Sequence, residues 1–290
     1  RMGIIEPEWR LCPRENEDVQ TPSWKWYAGG EIPAWEDLTE AQKKDLDMRM
    51  AVYAAMIDRL DQNIGRIVAH LETTGALENT LIFFLSDNGG ALGGGPFGFN
   101  RRGCSDVNAY GGPESVISYG TGWANASDTP FRKLKCFVHE GGIATPLIVH
   151  WPDGIENTNR LIHEPGHLID IMPTCLDIAQ ARYPMRWNGH DILPFEGKSL
   201  LPLFKGETFD QERLLYWEHT NNRAVRRGKW KLVALEDGAW ELYDMEQDRT
   251  ELCNLVSEYP EIANNLKQAF ITFAADNYIL PYSKNKPNGD

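Results

Sequence analysis

An apolar run that ends in two oxygen-bearing side chains is the first feature of the sequence that points to chemistry. In the stretch FFLSDNGG, residues 83–90, Asp87 and Asn88 follow the run and precede two glycines. A carboxylate and an amide oxygen are hard ligands, suited to Ca²⁺ or Mg²⁺ rather than to zinc. Two such oxygens fill only part of a calcium shell of about six to eight ligands. The alternative interpretation is an ordinary Asp-Asn turn after a strand.

Cationic side chains cluster in a second segment. Arg132, Lys133 and Lys135 lie within four positions, and His139 follows just before a Glu-Gly-Gly sequence. Point charges of this kind hold anions such as sulfate or phosphate, and Lys135 stands closest to the tight turn that leads into an apolar run. His139 is a candidate general acid or base. The alternatives are a solvated basic loop and a histidine with a structural role.

A long helix is predicted before these two segments. Apolar residues recur at spacings of three and four through residues 46–71, which indicates one apolar helix face. Thr39 followed by Gln42 fits a capping box at the start, and Gly75 is a natural stop at the end.

Two strands are predicted next to the candidate site residues. Residues 80–86 form a continuous apolar run, typical of a strand covered on both faces in a mostly parallel sheet. Residues 145–151 predict a second strand, and residues 167–179 predict a helix that Pro173 kinks or begins anew. Ligands of open α/β sheets gather beyond the carboxyl ends of strands. The pair at residues 87–88 therefore lies where a site is expected.

The remaining chain contains two segments of different composition. Residues 89–128 are glycine-rich but contain aromatic residues, so an ordered loop near a site is favoured over disorder. Past about residue 205, short aromatic and β-branched runs between turn residues predict an antiparallel meander. A helix near the C-terminus is expected to cover one face of it.

The composition limits the partners of the chain. Its 290 residues are 42% hydrophobic, and 42 acidic against 29 basic residues give a formal net charge of −13. This balance argues against nucleic acid or an anionic membrane as the main partner. No apolar run approaches the roughly 20 residues that span a bilayer. Five scattered cysteines without a CxxC pair indicate neither a zinc site nor a disulfide framework, and they leave the compartment open.

Several motifs together resemble one family. AAMIDRLDQNIGRIV, FFLSDNGG, GWANASDTPFRKLK and HEGGIATPLIVHWP occur in this order, followed by HLIDIMPT, RAVRRGKWKLV and WELYDMEQDRTELCNL. Over about residues 40–260 the chain resembles the C-terminal portion of a sulfatase of the arylsulfatase type. The resemblance implies an alkaline-phosphatase-like α/β fold, with a mixed, mostly parallel sheet flanked by helices, incomplete here, and a smaller C-terminal α+β subdomain with an antiparallel sheet.

The resemblance also suggests domain bounds. We expect residues 1–38 to form an irregular surface-wrapping segment and residues 39–180 to form the C-terminal half of the α/β domain. Residues 181–212 are then a linker region, and residues 213–290 form the antiparallel-sheet subdomain with its terminal helix.

The same resemblance assigns roles to residues. Asp87 and Asn88 match the second pair of ligands of the family's Ca²⁺, which is sometimes Mg²⁺, and Lys135 matches the lysine that contacts the substrate sulfate. Arg132 and Trp123 are further candidates for substrate binding, and His139 is a further catalytic candidate. The implied reaction is hydrolysis of a small-molecule sulfate monoester, aryl or carbohydrate. The family also favours a periplasmic or secreted location.

The sequence departs from the family at the nucleophile. Sulfatases use a formylglycine made from a Cys or Ser in a Cys-x-Pro-x-Arg type motif, which Cys12-Pro13-Arg14 does not fit. The paired aspartates and the Lys and His expected before this region are absent too. The chain opens without an initiator Met or a signal peptide. We therefore expect it to hold about half of an active site, to need the N-terminal half, and to be inactive alone.

Two alternatives stay open. One is a phosphomonoester or phosphonate ester hydrolase of the same superfamily, because sulfate and phosphate esters share their shape. The other is a non-catalytic, truncated module that keeps the fold for binding or stability.

Overall fold

The computed structural model describes residues 9–12, 32–91, 93–156, 158–210, 212–236 and 238–279. Most of the predicted surface-wrapping segment at residues 1–38 thus lies outside the described residues. The helices are α1 Glu40–Thr73, α2 Thr121–Asp128, α3 Glu140–Ile143, α4 Ile171–Ile178, α5 Leu201–Phe204 and α6 Pro260–Asp276. The strands are β1 Ile82–Leu85, β2 Leu147–His150, β3 Arg186–Trp187, β4 His190–Asp191, β5 Leu214–His219, β6 Asn222–Arg227, β7 Trp230–Ala234 and β8 Glu241–Asp244.

The chain divides into two compact units. Unit 1 comprises Arg1–Arg66, Asn88–Thr145 and Tyr216–Asp290, and unit 2 comprises Ile67–Asp87 and Pro146–Leu215. Each unit is thus assembled from segments that are distant in sequence. The domain bounds expected from the resemblance stay a prediction.

The predicted capping box begins α1. The Thr39 N–H donates to Gln42 Oε1 at 2.9 Å, and the Gln42 N–H donates to Thr39 Oγ1 at 3.3 Å. The helix ends at Thr73, and Gly75 then adopts φ 69°, a left-handed conformation that glycine accepts without strain. These features confirm the predicted helix and both of its ends. No helix among the described residues, α1 included, is long and apolar enough to cross a membrane.

Replacing Thr39 with alanine tests this cap. We expect the free energy of unfolding to fall by about 1 kcal/mol, because the Gln42 N–H loses its side-chain acceptor. Urea denaturation followed by circular dichroism measures the change. Thr73→Ala, at the opposite end of α1, is the control and should cause no loss, since alanine has the higher helix propensity. Equal losses in both variants would show that the cap contributes nothing.

The C-terminal part of unit 1 is an antiparallel meander, as predicted. Its strand order is β5-β6-β7-β8, with Val225 opposite Leu232 and Leu232 opposite Leu242. Helix α6 covers one face, where Leu266 and Phe270 pack on these three residues. The alternation of apolar residues along each strand therefore selects the face that receives the helix.

The other face of the meander supports the segment around Lys135. Ala224, Val233 and Tyr243 project from it and form a buried cluster with Val138. Val138 lies three residues after Lys135. The sheet is thus the platform for the cationic segment.

In unit 2, β1 and β2 form a two-stranded antiparallel sheet. Phe83 lies opposite Val149, and both pack against a core that contains Leu203 and Phe204. On the other face, the side chain of Ile148 is 59% exposed. The prediction that residues 80–86 form a strand covered on both faces is therefore wrong for the described residues: only one face meets a core, and the paired strand is antiparallel.

The predicted helix at residues 167–179 begins with a 3-10 turn, Leu168–Asp170, and continues as α4. Pro173 lies in the first turn of α4, where its missing N–H costs no helix hydrogen bond. The fully buried Asp170 accepts two 2.6 Å hydrogen bonds from the guanidinium of Arg213 and one from the Lys198 N–H. This bidentate pair anchors the helix start within unit 2.

Candidate functional site

The turn after β1 carries the two predicted metal ligands. Asp87 is exposed and Asn88 is half-buried, and Ser86 alone separates them from the end of the strand. A carboxylate and an amide oxygen fit a hard cation in donor chemistry but supply only two oxygens. The described residues contain no group of three or more His, Cys, Asp and Glu side chains that could hold a metal ion. Any complete shell therefore needs further ligands.

Main-chain hydrogen bonds bring the cationic segment to this turn. The Gly89 N–H donates to the Gly142 carbonyl at 3.0 Å, and the Lys135 N–H donates to the Gly90 carbonyl at 3.1 Å. The glycines that end the first motif and the cationic segment, almost 50 residues apart, thus form one local structure within unit 1. Lys135 is half-buried and lies beside the turn that follows the ligand pair.

Close backbone packing explains the glycines of both motifs. A Cβ on Gly89 would lie 1.7 Å from the Gly141 carbonyl oxygen. A Cβ on Gly141 would lie 2.2 Å from the Lys133 oxygen, and one on Gly142 would lie 2.0 Å from the Phe137 oxygen. Since backbone atoms cannot rotate away as side chains do, only glycine permits this approach. The Glu-Gly-Gly sequence forms the single turn of helix α3, and this packing gives it a structural role.

The backbone on both sides of Lys135 is strained. Lys133 has φ 67° and Cys136 has φ 82°, in the left-handed region that non-glycine residues seldom adopt. Such conformations persist where surrounding contacts impose them, and they cluster at functional sites. Burial raises the pKa of the Cys136 thiol, and the nearby Lys135 charge partly offsets this effect.

Two residues that the sequence reasoning missed hold the turn from the other side. The Gly90 N–H donates to both carboxylate oxygens of Asp128, at 2.8 and 3.0 Å, and the Ala91 N–H donates to the Tyr119 hydroxyl at 3.1 Å. Burial raises the pKa of Asp128 to about 6, and the hydrogen bond from Gly90 opposes the rise. Burial, followed by the nearby Tyr53, raises the pKa of Tyr119 to about 12. Nothing in the local pattern links residue 128 to residue 90.

Arg132 and His139 both contact Glu241 on strand β8 of the meander. Arg132 Nη1 lies 3.2 Å from Glu241 Oε2 and donates to the Tyr243 hydroxyl at 3.0 Å, while His139 Nε2 lies 3.4 Å from the same Glu241 oxygen. Burial alone would raise the pKa of Glu241, but hydrogen bonds from His139 and Tyr243 and the charge of Arg132 lower it to about 2. Because His139 is only 1% exposed, these contacts favour a supporting role for both residues. Their catalytic and substrate-binding roles stay predictions.

A buried ion cluster fixes the Glu-Gly-Gly turn to the sheet. Lys231 Nζ lies 2.9 Å from Glu140 Oε1 and 2.8 Å from Glu251 Oε1, and Arg249 Nη2 lies 3.1 Å from Glu140 Oε2. The Glu140 N–H also donates to Glu251 Oε2 at 2.8 Å. Burial would raise the pKa of Glu140, but Lys231 and then Arg249 outweigh it and lower the pKa to about 2. In the sequence, the local feature that indicates this cluster is Lys231, a lysine within an apolar strand.

The described part of the glycine-rich loop is ordered by contacts with α1. The Trp123 indole N–H donates to the Leu46 carbonyl at 2.9 Å, and the Tyr110 hydroxyl donates to Asp45 Oδ1 at 2.7 Å. Arg49, buried in α1, donates to two carbonyl oxygens of the loop. The indole N–H of Trp123 is thus engaged within unit 1, and its assignment to substrate binding stays a prediction.

The chain is similar to known protein families. The sulfatase family model matches residues 12–181, and the model for the C-terminal region of N-sulphoglucosamine sulphohydrolase matches residues 132–276. An uncharacterized sulfatase of Schizosaccharomyces pombe is 33% identical over 219 residues, 69% of this chain and 38% of that protein. The arylsulfatase of Klebsiella aerogenes is 33% identical over 172 residues, 57% of this chain and 37% of that protein.

Solved structures extend the likeness to the fold. The crystal structure of Ps i-CgsB matches 84% of this chain and 45% of its own, with a TM-score of 0.59 and 21% identity. The phosphonate monoester hydrolase of Agrobacterium radiobacter matches 85% of this chain and 44% of its own, with a TM-score of 0.50 and 19% identity.

The chain belongs to the sulfatase family. Its fold is that of the alkaline-phosphatase-like sulfatases, with the C-terminal antiparallel sheet expected from the sequence. The chain spans well under half the length of the relatives named above.

Proposed function

We propose that the natural gene product hydrolyses a sulfate monoester to an alcohol or phenol and sulfate, and that this chain supplies half of its active site. The observation that carries the proposal is the main-chain bond from Lys135 to Gly90, two residues after Asn88, within unit 1. A lysine cation and hard oxygen ligands are the groups that suit an anionic ester.

The residues of this chain have separate roles. Asp87 and Asn88 hold a Ca²⁺, or a Mg²⁺, together with ligands from the rest of the protein. When bound, the metal acts as a Lewis acid on a sulfate oxygen. Lys135 binds the sulfate and offsets negative charge on the transferring group. Arg132 and His139 support this segment through Glu241, and Trp123 with the glycine-rich loop shapes the rim.

The nucleophile is proposed to lie outside this chain. None of the five cysteines stands in a motif that yields formylglycine. We propose that an upstream Cys or Ser provides it and that this chain alone does not turn over substrate. The similarity to an arylsulfatase favours an aryl sulfate as the first substrate to test, with a sulfated carbohydrate second. A periplasmic or secreted location, and no nucleic-acid partner, belong to the same proposal.

A phosphonate or phosphate ester hydrolase is the second candidate. The likeness in fold to a phosphonate monoester hydrolase favours it, and oxygen ligands with a lysine suit either anion. A truncated module without catalysis is the remaining alternative.

The test uses the gene product purified from its native host. Initial rates with 4-nitrophenyl sulfate, 4-nitrophenyl phosphate and a phosphonate monoester give the ester preference, and peptide-mapped mass spectrometry identifies any formylglycine. We expect the highest kcat/KM with the sulfate, together with a formylglycine peptide upstream of residue 1. A higher kcat/KM with the phosphorus esters would favour the second candidate. No turnover of any ester would favour the non-catalytic module.

Metal removal gives a separate prediction. We expect dialysis against EDTA to abolish hydrolysis of 4-nitrophenyl sulfate, because the Lewis acid is removed and the Asp87 carboxylate is left without its cation. Adding back Ca²⁺ or Mg²⁺ in parallel samples then identifies the metal that restores the rate. Full activity after exhaustive chelation would contradict a metal role for Asp87 and Asn88.

A further inference from the structure

Two side chains hold the turn that carries the proposed metal ligands. Asp128 accepts the Gly90 N–H with both carboxylate oxygens, and the Tyr119 hydroxyl accepts the Ala91 N–H. We infer that Asp128 is a positioning residue for Asn88, the proposed metal ligand in the same unit, with Tyr119 in support. This inference rests on the proposed function and deepens it, since it concerns how the ligands are oriented.

Two further hydrogen bonds of the turn do not depend on side-chain identity. Gly89 donates to a carbonyl of the Glu-Gly-Gly turn, and the Gly90 carbonyl accepts from the Lys135 N–H. Both bonds join main-chain atoms, so they need the close approach that the glycines allow but no side-chain donor or acceptor. Asp128 and Tyr119 contribute through side chains, which makes residue identity decisive at these two positions.

The fit around Gly90 is tight. A Cβ on Gly90 would lie 2.9 Å from the Ala124 carbonyl oxygen and 3.0 Å from both Asp128 Oδ2 and the Tyr119 hydroxyl. Tyr119 is itself fixed by stacking on Tyr53 of α1, with ring centroids 4.9 Å apart and planes within 6°. A carboxylate on a helix end and a stacked phenol are therefore rigid supports for the turn.

Asp128 can affect metal binding through its hydrogen bonds to Gly90, which follows the proposed ligands in the chain. Gly90 is two residues after Asn88, so we expect a change in the Gly90 backbone to be passed along the chain to the Asn88 amide oxygen. Metal ligands must be held within about 0.5 Å of their productive geometry. At pH 7.5 Asp128 is ionised, because its pKa of about 6 lies below that pH, and it then acts only as an acceptor.

Three variants of the natural gene product test the inference at pH 7.5. Asp128→Ala removes both acceptors, Asp128→Asn keeps one acceptor oxygen, and Asp106→Ala is the matched control. Asp106 makes the same kind of bond, accepting the Asn108 N–H at 2.9 Å in an exposed turn of unit 1. The measurements are hydrogen–deuterium exchange of the peptide covering residues 84–91, the melting temperature, and Ca²⁺ affinity by isothermal titration calorimetry.

We expect Asp128→Ala to speed exchange in this peptide about tenfold and to weaken Ca²⁺ binding about tenfold, since a charge-assisted hydrogen bond is lost. Asp128→Asn should restore the Ca²⁺ affinity to within about threefold of wild type. The control should match wild type in both measurements, and exchange in β6 and β7 should not change. A role confined to stability would instead lower the melting temperature and leave the Ca²⁺ affinity unchanged.

Each contrary result has a definite meaning. Unchanged exchange in Asp128→Ala overturns the inference and leaves the proposed function intact if the wild type binds Ca²⁺ and hydrolyses the sulfate ester. Faster exchange with unchanged Ca²⁺ affinity overturns the positioning role in the same way. A wild-type protein that binds neither Ca²⁺ nor Mg²⁺ removes the metal pair from the proposed function, and the inference falls with it.

Discussion

Replacing Lys231 with methionine is expected to lower the free energy of unfolding by about 3–5 kcal/mol, because it removes the cation between two buried carboxylates. Lys231 and Glu251 are 0% exposed and Glu140 is 4% exposed. Methionine fills a similar volume, so the loss reports the uncompensated charge more than a cavity. Urea denaturation followed by tryptophan fluorescence measures it.

Lys229→Met is the control for this prediction. Lys229 lies two residues earlier, in the turn between β6 and β7, and pairs with Asp244 at 2.7 Å, but its side chain is 42% exposed. Water screens such a pair, so the control should change stability far less. Equal losses of unfolding free energy in the two variants would show that burial does not make the Lys231 ion pairs more important for stability than an exposed pair.

The pH dependence of the wild type follows from the same cluster. The pKa of Glu140 is lowered from 4.5 to about 2, so its ion pairs stabilise the fold fully above pH 4.5. This contribution is lost as the pH falls from 4.5 towards 2. In Lys231→Met the main opposing charge is gone, so Glu140 takes up its proton at higher pH. The difference in stability between the two proteins should therefore shrink on acidification.

Replacing Gly89 with alanine is expected to cost about 3 kcal/mol, at the upper end of overpacking effects. The new Cβ would lie 1.7 Å from the Gly141 carbonyl oxygen, so the two backbone segments must separate. Separation breaks the bond from the Gly89 N–H to the Gly142 carbonyl and moves Lys135 away from the turn. Both urea denaturation and exchange of the residue 84–91 peptide should report the change.

Gly65→Ala is the matched control, because nothing lies within 4 Å of the added Cβ on this exposed position of α1. There alanine should stabilise the protein by about 0.5–1 kcal/mol, since a helix interior favours it over glycine. Opposite signs for the two substitutions are therefore expected. A loss in Gly89→Ala no larger than the effect of Gly65→Ala would contradict the close packing of the two motifs.

Features encoded by neighbouring residues were predictable from the sequence. Helix α1 followed from its three-and-four spacing and from the reciprocal bonds of Thr39 and Gln42. The meander followed from alternating apolar residues between turns, and the strand end at residues 87–88 followed from a run that stops abruptly. In each case the physical cause lies within a few residues of its effect.

Features that depend on distant partners were not predictable in this way. Asp128 contacts a glycine 38 positions earlier, and Lys231 contacts Glu140 across 91 positions. No local periodicity encodes either pairing, because tertiary packing alone brings the partners together. The direction of the β1–β2 pair was missed for a related reason, since a continuous apolar run does not specify the orientation of its neighbour.

The most direct test of the central claim is the kcat/KM of the natural gene product for 4-nitrophenyl sulfate after Lys135→Gln. Lys267→Gln, on the exposed face of α6, is the matched control. We predict a loss of about 100-fold to 1,000-fold in Lys135→Gln, because a charge that stabilises the transferring group is removed. The control should equal the wild type. A kcat/KM in Lys135→Gln that also equals the wild type would contradict the assignment of this segment to the active site.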